Sequence, residues 1–196
     1  VTLNDANIDG GGIYVDDGAT ADLTNCEITD NMTASGGGGV YVGLVASVNA
    51  TDCNISDNAA DEYGGGVFVD EGTATLTNCT INNNSVLYYE GGGILVDSWG
   101  DATITDCTIS GNSADGYDGG GCAIRYNSAA VLSGCTITGN YASGNGGGLY
   151  VFQSVVTMSD MDINANITDG DGGGIYSYYL TTLNITDCLI NSNTSA

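Results

Sequence analysis

Residues Cys107–Gly121 read CTISGNSADGYDGGG, an acidic, asparagine-containing stretch that ends in three glycines. A phosphate-cradling loop would need a preceding strand, a following helix and usually a lysine. The chain has no lysine, and the residues after the glycines, CAIRYN, alternate as a strand does. The same run recurs, ending at Gly12, Gly39, Gly66, Gly93, Gly121, Gly148 and Gly174, in steps of 27, 27, 27, 28, 27 and 26 residues. A fixed period of this length marks a stacked repeat. The glycines are therefore punctuation within each coil.

A second landmark keeps phase with the first. Its cysteine column is Cys26, Cys53, Cys79, Cys107, Cys135 and Cys188, with Met161 in the sixth place. Two residues on lies an isoleucine column, Ile28, Ile55, Ile81, Ile109, Ile137, Ile163 and Ile190. Three further lies an asparagine column, Asn31, Asn58, Asn84, Asn112, Asn140, Asn166 and Asn193. Apolar and polar residues alternate before the cysteine (Ala74-Thr75-Leu76-Thr77) and after the glycines (Val67-Phe68-Val69). Period 2 sends one set inward and the other outward. Strands this short bury their apolar sides only by stacking on the next coil. The expected fold is an all-β, right-handed parallel β-helix of about seven coils, each of about 27 residues and three short strands. One solenoid domain spans residues 1–196. At a spacing of about 4.8 Å, the rod is roughly 34 Å long. The asparagine column predicts a ladder of side-chain amides bonded from coil to coil.

The motifs GGG-[IVL] and IxxN, as in Ile109-Ser110-Gly111-Asn112, resemble the GGA-[ILV] and FxxN motifs of polymorphic outer-membrane-protein repeats. The resemblance runs through nearly the whole chain. It implies a bacterial surface adhesin or structural stalk.

Composition narrows the function classes. The formal net charge is −23, there is no histidine, and Arg125 is the only base. Phosphate backbones need a basic surface, so nucleic acid is excluded as a partner. Nothing reaches the ~18 apolar residues of a membrane helix, so membrane insertion is not expected. A hydrophobic content of 42% in strict register argues against disorder. The chain opens at Val1 in mid-coil and stops at Ala196 just past the last ladder asparagine. A longer parent solenoid, or a second copy completing the coil, is the expectation.

Catalysis is not expected. Lyases acting on uronic acids set bases against an acidic substrate, and the chain offers one arginine. Paired carboxylates for hydrolysis are plentiful, but they recur with the repeat. Arg125 falls one coil beyond Asp97, in a column with Asp16 and Asp70, and an ion pair with Asp97 is expected. No cofactor is required. Calcium is one reading of corners where acids stack: Glu90 with Asp118, Asp169 with Asp171, and Asp70 with Asp97. Like charges about 5 Å apart repel, and a cation would relieve them. A solvated acidic surface is the other reading. Asp5-Ala6-Asn7-Ile8-Asp9-Gly10 matches the start of a calcium loop only through strand alternation.

The cysteine column predicts buried free thiols, because stacked Cβ atoms point the same way rather than toward each other. Of eight N-x-[ST] sequons, Asn49, Asn54 and Asn184 fall on outward phases and are the expected glycan acceptors. Outward aromatics form a stripe of Tyr14, Tyr41, Phe68, Tyr150 and Tyr176, joined by Phe152 and Tyr178. The stripe is read either as sheet reinforcement or as a contact surface for a second copy or for sugar rings. The expected function is a non-enzymatic extracellular or cell-surface protein: a segment of an adhesin, stalk or filament. A carbohydrate-binding or carbohydrate-active protein is the alternative. An ice-binding solenoid is a third, suggested by outward Thr75, Thr77, Thr103 and Thr105, but Asp22, Asn49 and Val131 in the same columns keep a flat threonine array short.

Overall fold

The computed structural model describes residues 1–196, with 29 strands and no helix. One coil serves for all. Val67–Asp70 follows the glycine run, Thr73–Thr77 lies past the next corner, then Thr80–Asn82, then the two-residue Ser85–Val86. Each strand pairs in parallel with its equivalents in the coils before and after, so Phe68 sits between Tyr41 and Leu95, and Ile81 between Ile55 and Ile109. The result is four sheets of seven, seven, seven and eight strands, running the length of a solenoid. Where the sequence pattern predicts three strands per coil, the structure has four. The fourth is too short for period 2 to show itself, and it is held by stacking alone.

The columns found in the sequence line the interior. Thirty-three buried residues form one continuous core, with Ile28, Ile81, Ile104, Ile109 and Ile137 fully enclosed. Burying one such side chain contributes roughly 1.5–3 kcal/mol. The asparagine column is buried and its hydrogen-bonding capacity is filled. Asn58 Nδ2 donates to Asn84 Oδ1 at 3.0 Å and to Ile28 O at 2.9 Å. Its Oδ1 accepts from the backbone N–H and Nδ2 of Asn31, at 3.1 and 2.9 Å. A buried amide with both donors and its acceptor used adds stability instead of costing it. The ladder reaches one coil further back than the sequence pattern indicates, to Asn4, whose Nδ2 donates to Asn31 Oδ1 at 2.8 Å.

The glycine run serves two physical ends. Gly119 takes φ +70°, a conformation costly to side chains. Gly121 has no room for one: a Cβ there would stand 2.5 Å from Gly148 O and 3.0 Å from Asn140 Nδ2. The third glycine is thus what lets the asparagine ladder pass beneath it.

The corners account for much of the acidity. Asp52, Asn78 and Asp106 precede successive cysteines with φ of 54°, 53° and 53°, and Asp57 and Asn83 precede ladder asparagines at 56° and 54°. Asp and Asn tolerate the left-handed region better than most residues. In all, eight carboxylate residues hold such corners: Asp17, Asp30, Asp52, Asp57, Glu71, Asp106, Asp160 and Asp187.

All seven cysteines are free thiols. Cys53, Cys79, Cys107, Cys122 and Cys135 are buried, while Cys26 and Cys188 are half-buried. The backbone N–H of Cys79 points at Cys107 Sγ (3.3 Å), and that of Cys107 at Cys135 Sγ (3.4 Å). The column packs as small apolar groups with weak acceptor sulfurs.

Candidate functional site: an aromatic face with one buried base

Chemistry concentrates on the outer side of the sheet that follows the glycine runs. The alternation that sends Val67 and Val69 inward sends Phe68 and Asp70 outward. The expected exposed stripe needs correction at its centre. Tyr41, Phe68, Leu95 and Ala123 are buried and make a small second core. The loop residue Tyr63 covers them, its ring 5.6 Å from Phe68 and stacked at 4.8 Å on Tyr89. Tyr14 and Tyr178 are more than half exposed, at 54% and 55%, and Tyr150, Phe152 and Tyr176 are half-buried. Sequence reasoning missed Tyr63, Tyr89 and Tyr117. The available signal was their place one or two residues before the left-handed glycine of their coil.

Arg125 sits in the middle of this face and is buried. Its Nη2 donates to Asp97 Oδ2 at 2.8 Å, which is the pairing expected from the coil period. Its Nη1 lies 2.5 Å from Glu90 Oε2, a charge contact without hydrogen-bond alignment. The guanidinium carbon stands 5.1 Å from the Tyr63 ring centre and 5.0 Å from that of Tyr126, within cation–π range. Arg125 is held above the ordinary arginine value: its own burial works against the charge, but Glu90 and then Asp97 outweigh it. Burial pushes the Glu90 carboxyl up despite the arginine beside it. Burial likewise raises Asp70 and Asp118.

The acidic corners read as cation sites are dispersed. No three His, Cys, Asp or Glu side chains converge. Asp70 and Asp97 are register neighbours, and Asp97 and Glu90 face Arg125, which supplies a counter-charge there. Asp118 Oδ1 accepts from the N–H and Nδ2 of Asn145, at 2.5 and 3.1 Å. Asp169 Oδ2 accepts from Tyr141 Oη at 2.8 Å, and Asp171 is exposed and donates its N–H to Asn145 Oδ1. Of the sequon residues, Asn49 and Asn184 are exposed and Asn54 is half-buried. Asn31 and Asn166 are enclosed in the ladder.

The surface has one concavity, of about 270 Å³, walled by Tyr117, Tyr150, Tyr176 and Tyr178 with Asp118 and Asn145. The Tyr150 and Tyr176 rings are parallel within 6°, with centres 5.9 Å apart.

A family model described as a right handed beta helix region matches residues 1–154 and, in a second overlapping placement, 38–196; the chain belongs to this right-handed β-helix family. No curated protein matches the chain, and no solved structure does.

Proposed function

We propose that this chain is a non-enzymatic structural segment of an extracellular or cell-surface protein, a β-solenoid rod of the adhesin, stalk or filament kind. The observation that carries this reading is the unbroken register. All four sheets keep their pairing from the first coil to the last, with no insertion to build a cleft beside the core. A rod of constant cross-section suits spacing and load-bearing, since each coil is held by the same ladder as its neighbours. The likeness of GGG-[IVL] and IxxN to polymorphic outer-membrane-protein repeats supports a cell-surface setting. So do the exposed sequons at Asn49 and Asn184, as glycan acceptors.

Self-assembly belongs to this reading, with the exposed rings of Tyr14 and Tyr178 as a lateral surface for a second copy. Sedimentation velocity over a range of concentrations tests the reading: elongated species growing as concentration rises are expected. A compact species of constant size would refute it. The alternative, a carbohydrate-binding β-helix, is favoured by one observation, the tyrosine-walled concavity. A neutral glycan bound there would support it.

A further inference from the structure

One of the two acids beside Arg125 has a counterpart one coil on, where there is no base. Moving from Glu90 by one coil gives Asp118, whose carbonyl accepts from the N–H of Gly91 at 3.1 Å. Moving from Arg125 by one coil gives Phe152, its register partner. The chain has no second base to offer. A different set of tyrosines gathers over Asp118. Where Arg125 has two tyrosine rings and two acids, the concavity over Asp118 has four tyrosines and one acid. Asp118 itself is 3% exposed, so its charge is poorly solvated. Arg125 pairs with Glu90 and Asp97, and Asp118 makes no ion pair.

We propose that the tyrosine-walled concavity over Asp118 binds an organic cation, a guanidinium or alkylammonium group, in the manner in which the chain holds its own Arg125. Aromatic faces attract such groups through their quadrupole, most strongly where water is excluded, and a nearby carboxylate adds charge. The wall contains no base, which turns away phosphates and acidic sugars. It also lacks the ring of oxygens that a hard metal ion requires. The net charge of −23 concentrates cations near the surface. The group could arrive on a free small molecule or on an Arg or Lys side chain of a basic protein partner. This inference does not depend on the rod reading, since a stalk and a monomer would bind the same cation.

The test is calorimetric titration of the whole chain with choline, with N-acetylarginine methylamide, with the uncharged choline isostere 3,3-dimethylbutanol, and with maltose. The two cations are expected to bind, with the isostere about tenfold weaker or worse. Tyr176→Ala should weaken cation binding about tenfold. Asp118→Asn should do the same. Should that variant fail to fold, Tyr178→Ala, at an exposed ring, gives the same readout. A short arginine-bearing peptide that binds more tightly than the free arginine derivative identifies a protein partner as the source, and equal affinity identifies a free cation. Equal binding of choline and its isostere, preferential binding of maltose, or no binding of either cation would overturn the proposal.

Discussion

Arg125 Nη2 and Asp97 Oδ2 lie 2.8 Å apart across one coil step, with each side chain only 9% exposed. Replacing Arg125 by Met keeps much of the packing volume but leaves Asp97 and Glu90 buried without a counter-charge. Losing one partner of a buried ion pair costs about 3–5 kcal/mol. Urea denaturation at neutral pH should show a loss of that order, whereas an unchanged midpoint would mean that the acids are solvated.

The same acids set the pH dependence. Burial raises Glu90, Asp70 and Asp118 above their ordinary values. A carboxyl whose folded pKa is raised binds its proton more readily in the folded state. Its stabilising contribution is fully present below the unfolded pKa and is lost as pH rises through the folded one. The melting temperature should therefore rise as pH falls from about 7 toward about 5. Relief of surface repulsion acts in the same direction, but salt screens it. A rise that persists in about 0.5 M sodium chloride belongs to the buried groups, while a rise abolished by salt would assign the effect to the surface alone.

Phe68 and Tyr14 occupy one column but should respond differently to substitution. Phe68→Ala opens a cavity beneath Tyr63 and should cost roughly 3–5 kcal/mol. Tyr14→Ser removes a ring that is 54% exposed and should cost under about 1 kcal/mol. Thermal melts of the two variants give the comparison, and similar losses would contradict the burial of Phe68.

Those two residues also mark how far the sequence could be read. The period, the isoleucine and asparagine columns and the Arg125–Asp97 pair follow from stacking, because like positions one coil apart must become neighbours. Phe68 looked exposed because period 2 says only which side of the strand a residue leaves. Whether a loop folds over that side depends on Tyr63 and Tyr89, which lie outside any strand pattern. The fourth strand, Ser85–Val86, is hidden by its length, and Asn4, one period before Asn31, by having no cysteine landmark beside it. The concavity over Asp118 joins residues from three successive coils, and its shape depends on rotamers that no spacing encodes.

Thiol titration with a bulky disulfide reagent separates the cysteines by burial. Cys26 and Cys188, half-buried in the end coils, should react in the folded protein. Cys122, whose thiol burial pushes well up, should react only on unfolding together with the other four buried thiols. Rapid reaction of all seven would show that the column is open to solvent.

The proposed structural role requires a coil-stacked rod. Electron microscopy of the native, full-length material measures this directly. Rods or filaments with an axial repeat of about 4.8 Å and no globular body in register with these coils are predicted. Compact, monodisperse particles whose coil faces are covered by their own chain would contradict it.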